Sequence, residues 1–495
     1  MFVVGVLKYG ERVWALMCAS NCVSSSLPAT RSKYFRPSNT GRRAGNLYGI
    51  PSITGRAYAL LDVARQLFEG PTGYVKVDKD FLLEGEEILE VAEMQLSMMY
   101  DFLYTKAAVV HTWYGFCIRA ISLPATVAAL GLFHRSSEKH GYNSRDVIVT
   151  YVLLGGAVLL ETTSVLKSIF SSWTSALLWL RGRSFGRFAR VFESALLVSK
   201  WSGYMGQQNL FTLCARGRNH PTSIIAGWMG WGDWWNSVFN SWSAPVPRDM
   251  IKSVSEILMS PRAVDNKEFD ITNSRGQKVL TIWSSHWDVN LEWSIKDFEL
   301  DECILIWHIA THLYLTWCRA HHRLNSSNLD KSVEALSNYM FFLLAARPYM
   351  LPNPINRQSY VHLCYDVINW DVDLLAFIEN RARISTPPQF ELERRYADRN
   401  KALERGCRIA TILISKSSET TMKMLFYLWL EMLCYTAYRC DAYCHAKHLS
   451  DGGEVMTTVS LLMMYRSNGL FKREDNSYIN RRDIITDAVQ GNIII

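Results

Sequence analysis

Residues 147–166 read VIVTYVLLGGAVLLETTSVL, an apolar run whose one charge is Glu161 near its end. About 20 helical residues cross the hydrocarbon core of a bilayer, so this run is long enough to span one. A second such stretch lies upstream at 113–133, with Arg119 as its one charge and Pro124 as a tolerated kink site. A third, SIFSSWTSALLWL at 168–180, is short and reads as interfacial or as an extension of the second helix. The two long runs predict a helical hairpin through a membrane.

The flanks orient it, because short segments rich in Lys and Arg stay in the cytosol. After the third run comes RGRSFGRFAR (181–190), with Arg181, Arg183, Arg187 and Arg190 and no acid. The loop between the spans, HRSSEKHGYNSRD (134–146), offsets Arg135, Lys139 and Arg145 with Glu138 and Asp146. The expectation is a multi-pass protein with both long ends cytosolic. Arg119 and Glu161 are candidates for function because charges at membrane depth are costly, although both lie within snorkelling reach of a helix end.

Composition agrees with a membrane-associated chain. Of 495 residues 49% are hydrophobic and 20% charged, at the apolar edge of globular usage, and the seventeen tryptophans suit either cores or membrane interfaces. The net charge of +7 comes without a recognisable nucleic-acid module, so no nucleic-acid partner is expected. The eleven cysteines are scattered and form no CxxC, which fits reduced thiols rather than a secreted disulfide scaffold.

At the start, MFVVGVLKYGERVWALMCAS has its apolar run interrupted by Lys8, Glu11 and Arg12, which argues against a cleaved secretory signal. The basic, Ser-rich stretch that follows has no acid before Leu61, and reads as disordered, with an organelle transit peptide as the alternative. The domain reading is then a largely disordered segment over 1–80 and a membrane region over 81–198. A Trp-rich junction over 199–245, either an interfacial layer or a folded linker core, leads into a helical C-terminal domain over 246–495. Helical spacing marks PRDMIKSVSEIL and, further on, 300–319, 331–346, 401–414, 420–448 and 453–465. A small β hairpin is expected around FDITNSRGQKVLTIW (269–283), and STPPQFE (385–391) marks a break. The fold class is mainly α, a transmembrane hairpin followed by a cytosolic all-α domain with at most one small β hairpin.

Six stretches taken together, KYGERVWAL (8–16), LYTKAAVVHTWYG (103–115), GYMGQQNL (203–210), ILIWHIATHLY (304–314), LSNYMFFLLAARPYML (336–351) and HAKHLSDGGEVMTTVSLLMMY (445–465), resemble in this order a plant family expanded in grasses. Its members pair an N-terminal multi-pass domain of unknown function with a shorter C-terminal domain of unknown function. The resemblance covers nearly the whole chain and implies an integral membrane protein of plant origin, with no established reaction. It also implies further spans ahead of the first motif, so the chain reads as truncated at its start. The last motif usually closes on a histidine where this chain has Tyr465.

Two constellations could carry chemistry. Cys440, Cys444 and His448 are spaced four apart, one face of a continuous helix, with His445 adjacent; thiolate and imidazole are good zinc ligands. Three such positions extend about 12 Å, so at most two could reach one ion. His308 and His312 form an HxxxH pair, but Ile309 stands where a zinc protease has its glutamate, and core histidines are the alternative. Ser450, Asp451, Gly452, Gly453 and Glu454 read as a tight helix corner. Asp451 as N-cap puts Glu454 at the third helical position of a capping box, and Ser450 as N-cap puts Gly453 there. No Walker loop and no dinucleotide fingerprint appears. No catalytic residue is named and the cofactor is unknown. The leading expectation is a membrane-anchored interaction or scaffold protein, with the lipid bilayer and cytosolic proteins as partners. The alternatives are a membrane-bound metal-dependent enzyme using those Cys and His residues, or a transport component.

Overall fold

The computed structural model describes residues 2–23, 53–69, 83, 87–135, 143–181, 203–217, 241–259, 272–287, 289–321, 328–352, 401–416, 419–451 and 453–471. These residues are mainly helical, with one small two-stranded antiparallel sheet among them. The chain divides into two compact units. The first holds Met1–Ser202 with Ala446–Gly453 and Asn468–Leu470, and the second holds Gly203–His445 with Glu454–Ser467 and Phe471–Ile495.

Unit 1 comprises α1 (Phe2–Val23), α2 (Ile53–Ala59), α3 (Leu61–Glu69), α4 (Glu87–Tyr104), α5 (Ala107–Val110), α6 (Trp113–Arg135), α7 (Ser144–Ile169) and α8 (Ser172–Arg181). Its core is formed by α2, α3 and α4, where Ala57, Val63, Phe68, Ile88, Val91 and Leu96 are buried. A different rule governs α6 and α7. They pack along each other, yet almost none of either apolar stretch is buried, and Leu132 (72%), Leu160 (71%) and Val152 (67%) are largely exposed. Asn143 caps α7, its side chain accepting from the Arg145 N–H at 3.3 Å. The third apolar run is a helix of its own, because the chain turns at Phe170 and Ser171. Trp173 and Ala176 of α8 are buried, and the Trp173 ring meets Tyr58 of α2 edge-on at 5.7 Å.

The N-terminal segment departs from the sequence reading. Where composition predicts disorder over 1–80, α1, α2 and α3 are formed, and α1 runs without a break through Lys8, Glu11 and Arg12. The overall composition hides a local apolar cluster: Ala57, Leu60, Val63, Leu67 and Phe68 of this segment are buried where α2 and α3 pack on α4. Residues 24–52, which hold most of the basic stretch, lie outside the described residues.

Unit 2 contains β1 (Tyr204–Gln207), α9 (Leu210–Gly217), β2 (Trp242–Pro245), α10 (Arg248–Met259), α11 (Gln277–Trp287), α12 (Trp293–Lys296), α13 (Leu300–Ala320), α14 (Asn328–Ala346), α15 (Lys401–Ser415), α16 (Glu419–Arg439) and α18 (Val455–Ser467). The short α17 (Ala442–Leu449) divides between the two units. In the sheet Tyr204 faces Pro245 and Gln207 faces Trp242. Three helices, α13, α16 and α18, are buried nearly all round, as helices apolar on every side must be. Trp283, Trp307 and Trp429 are fully buried; the Trp307 indole N–H donates to Ser294 Oγ and that of Trp429 to Thr311 Oγ1. Much of the Trp-rich junction, 218–240, lies outside the described residues, as does STPPQFE.

Two sequence readings are corrected in this unit. The hairpin expected at 269–283 is not formed: residues 277–287 are α11, and the sheet lies at β1 and β2. The β-leaning VLTIW becomes helical because Val279, Leu280, Trp283 and Trp287 fall on one buried face, and because Glu431 of α16 caps the helix start from a distance. Its carboxylate accepts from the Lys278 N–H at 3.2 Å, the Val279 N–H at 3.1 Å and the Ser274 hydroxyl. Gly276, at φ 110°, makes the turn into the helix, and a Cβ there would lie 2.6 Å from Leu428. The second correction concerns 420–448, which is two helices broken at Cys440 and Asp441.

Candidate functional site: paired charges on the apolar helices

In unit 1 the two charges of the apolar hairpin meet partners on α1. Lys8 Nζ lies 2.6 Å from Glu161 Oε2, and the Ser122 hydroxyl of α6 donates to the same oxygen at 3.1 Å. Arg119 Nη1 donates to Glu11 Oε1 at 2.9 Å and to the Gly115 carbonyl at 3.4 Å, and Lys106 lies 3.6 Å from Glu11 Oε2. Lys8 and Glu11 are three apart on a helix, hence on one face. Glu11 is 2% exposed and Glu161 9%. Arg119 and Glu161 therefore turn toward α1 rather than snorkelling to a helix end. Beside this cluster His111 stacks on Trp173, its pKa lowered to about 4 by burial and by the Arg119 charge.

The HxxxH pair is consumed by the core of unit 2. His308 Nε2 accepts from the Leu210 N–H at 3.2 Å, which leaves Nδ1 to carry the proton and donate to Ser337 Oγ at 2.9 Å. Its ring stacks on Phe341 at 4.7 Å. Asn209 Nδ2 donates to His312 Nδ1 at 3.2 Å and to Asn338 Oδ1 at 3.1 Å. Asn209 Oδ1 accepts from the Phe211 and Thr212 N–H groups, capping α9. The space these residues line holds no water-sized gap. Burial lowers the pKa of His308 to about 3 and of His312 to about 4, with each further lowered by a neighbouring group, His312 and Arg319 respectively. Both are neutral at physiological pH.

The break at Cys440 and Asp441 removes the continuous helix that would align Cys440, Cys444 and His448. The Cys444 thiol donates to the Tyr349 carbonyl at 3.2 Å, and His448 Nδ1 lies 3.5 Å from Asp451. His445 Nδ1 lies 3.1 Å from Thr457 Oγ1. Burial pushes the Cys440 thiol up, away from the thiolate a metal needs. Among the described residues no group of three His, Cys, Asp or Glu could hold a metal ion.

At the corner, α17 ends at Leu449 and α18 begins at Val455, with Gly453 at φ 80° accepting the left-handed turn. The Asp451 and Gly453 N–H groups both donate to the His448 carbonyl, and Ser450 Oγ to the Lys447 carbonyl. Gly452 lies outside the described residues. Glu454 immediately precedes the helix, so it is not the third residue of a capping box. It is buried and pairs with Arg347 at 2.6 Å. Tyr339 stands beside it, its hydroxyl accepting from the Met456 N–H at 3.2 Å. Sequence reasoning missed Lys8, Glu11, Asn209, Arg347 and Glu431. Only the first two left a signal, a charge pair three apart within an apolar helix.

Residues 1–214 match the family model described as a domain of unknown function, DUF4220, and residues 415–466 match the one described as a protein of unknown function, DUF594. No curated protein and no solved structure matches the chain. The chain thus pairs an N-terminal DUF4220 domain with a C-terminal DUF594 domain, the pairing that the six motifs imply.

Proposed function

We propose that this is a plant membrane protein, anchored by the α6–α7 hairpin, whose helical unit 2 lies in the cytosol and binds protein partners without chemistry of its own. The observation that carries the reading is the reversed burial of its apolar residues. Core helices of unit 2 hide their apolar side chains, whereas α6 and α7, more apolar still, present Leu132, Val152 and Leu160 outward. A buried core helix would not leave such a surface to water. Hydrocarbon is the solvent that suits α6 and α7. In unit 2, His308, His312 and Cys444 are engaged in packing and internal hydrogen bonds. Alkaline carbonate extraction of the full chain from plant cells tests the anchor. Retention in the pellet is expected, and release into the supernatant would overturn the reading.

A further inference from the structure

α1 presents two unlike sides. Val6 (55% exposed) and Val13 (38%), seven apart on one side, are apolar and face outward, while Lys8 and Glu11 face the hairpin and meet opposite charges there. The pairs follow an order of depth. Trp14 of α1 meets Tyr114 at the start of α6, their ring centroids 5.8 Å apart, beside the exposed Trp113. Trp and Tyr gather at the membrane–water boundary, so this level marks where the hairpin enters the bilayer. From it, the Glu11–Arg119 pair lies further along α6, and Lys8, with Ser122 and Glu161, further still. Reading α1 backward thus matches reading α6 forward. From Trp14 to Phe2 the helix rises about 18 Å, more than half of a roughly 30 Å hydrocarbon core.

We infer that α1 is a third membrane-embedded helix, seated in lipid beside the α6–α7 hairpin, with Lys8 and Glu11 as the counter-charges of Glu161 and Arg119. The inference rests on the hairpin being in the membrane, and it moves the first residues from the cytosol into the apolar layer. Pairing is what makes this placement tolerable, since a charge left alone at depth is expelled or neutralised. Arg12, exposed and close to the Trp14 level, is within snorkelling reach of the headgroups. The charges that make α1 look unfit for a membrane are thus the ones that join it to the hairpin.

Two measurements on the full chain in phosphatidylcholine vesicles test this. In the first, a diazirine-bearing leucine analogue replaces Val6 or Leu153 and lipid adducts are read by mass spectrometry. Adducts from both positions are expected. Adducts from 153 alone would place α1 outside the bilayer and overturn the inference while the hairpin stands; none from 153 would remove the hairpin reading and this one with it. In the second, Lys8→Glu alone is expected to lower the lipid adducts from position 6 by about tenfold, and Lys8→Glu with Glu161→Lys to restore most of them. A single variant at the wild-type level, or a double variant no better than the single, would show that the pair does not hold α1.

Discussion

Asn209 uses both amide hydrogens and its carbonyl oxygen within unit 2, joining α9 to His312 of α13 and Asn338 of α14. Polar residues so fully engaged in a dry setting specify one packing arrangement, because any other leaves a group unsatisfied. The same setting makes the protein acid-sensitive. Burial holds the pKa of His308 down to about 3 and of His312 to about 4 in the folded chain, against 6.5 for an exposed histidine. The unfolded chain therefore binds more protons below about pH 6.5. Stability is fully present above that value and is lost as pH falls toward the folded pKa values, by up to about 1.4 kcal/mol per pH unit for each histidine. Thermal unfolding in detergent between pH 7 and pH 4.5 should show this slope, and His312→Gln should make it shallower. An unchanged slope would show that other groups carry the acid response. The HxxxH spacing is visible in the sequence; its partners lie about a hundred positions away in the chain for Asn209 and some thirty for Ser337, so its structural role is not.

At the scale of elements, α11 shows tertiary structure overriding local preference. Its VLTIW favours a strand by composition, and Gly276 favours a turn, so a hairpin is the natural local reading. A distant carboxylate changes the outcome: Glu431 satisfies the Lys278 and Val279 N–H groups that open the helix, and burial raises its pKa despite those bonds. Glu431→Ala should leave these donors unpaired and cost roughly 1–3 kcal/mol. Hydrogen exchange should then quicken across 277–283 while α15 keeps its protection; equal loss in both would mean that the whole unit depends on this cap. The sheet is positioned by the same kind of contact. At Gly206 of β1 a Cβ would lie 2.3 Å from the Phe342 ring, so only glycine allows β1 to lie against α14.

For the whole molecule, orientation follows from charge beyond the apolar helices. The arginines at 181, 183, 187 and 190 should hold the segment after α8 in the cytosol, and the nearly balanced 134–146 loop should cross. Protease applied to sealed microsomes should therefore digest a tag at residue 495 and spare one inserted at residue 140. Protection of the C-terminal tag would invert the topology. Exposed tryptophan and buried tryptophan are told apart only at this scale: Trp113 is 74% exposed at the start of α6, whereas Trp283, Trp307 and Trp429 are enclosed.

Period and length were enough to determine the long helices. Trp113–Arg135 and Ser144–Ile169 lie where uninterrupted apolar length predicts them, and Leu300–Ala320 and Asn328–Ala346 where helical spacing does, because each signal is local to its own stretch of chain. The order of the six motifs likewise determined the pairing of two domains. Tertiary structure alone decided that α1 continues through its charges, that 277–287 is a helix, that the chain breaks at Cys440, and that Glu454 pairs with Arg347 rather than capping a helix. The physical reason is shared. A buried charge or an open helix end must find its partner, and the partners on Glu161, Arg119, Glu431 and Arg347 lie roughly a hundred or more positions away along the chain, beyond the reach of any local pattern.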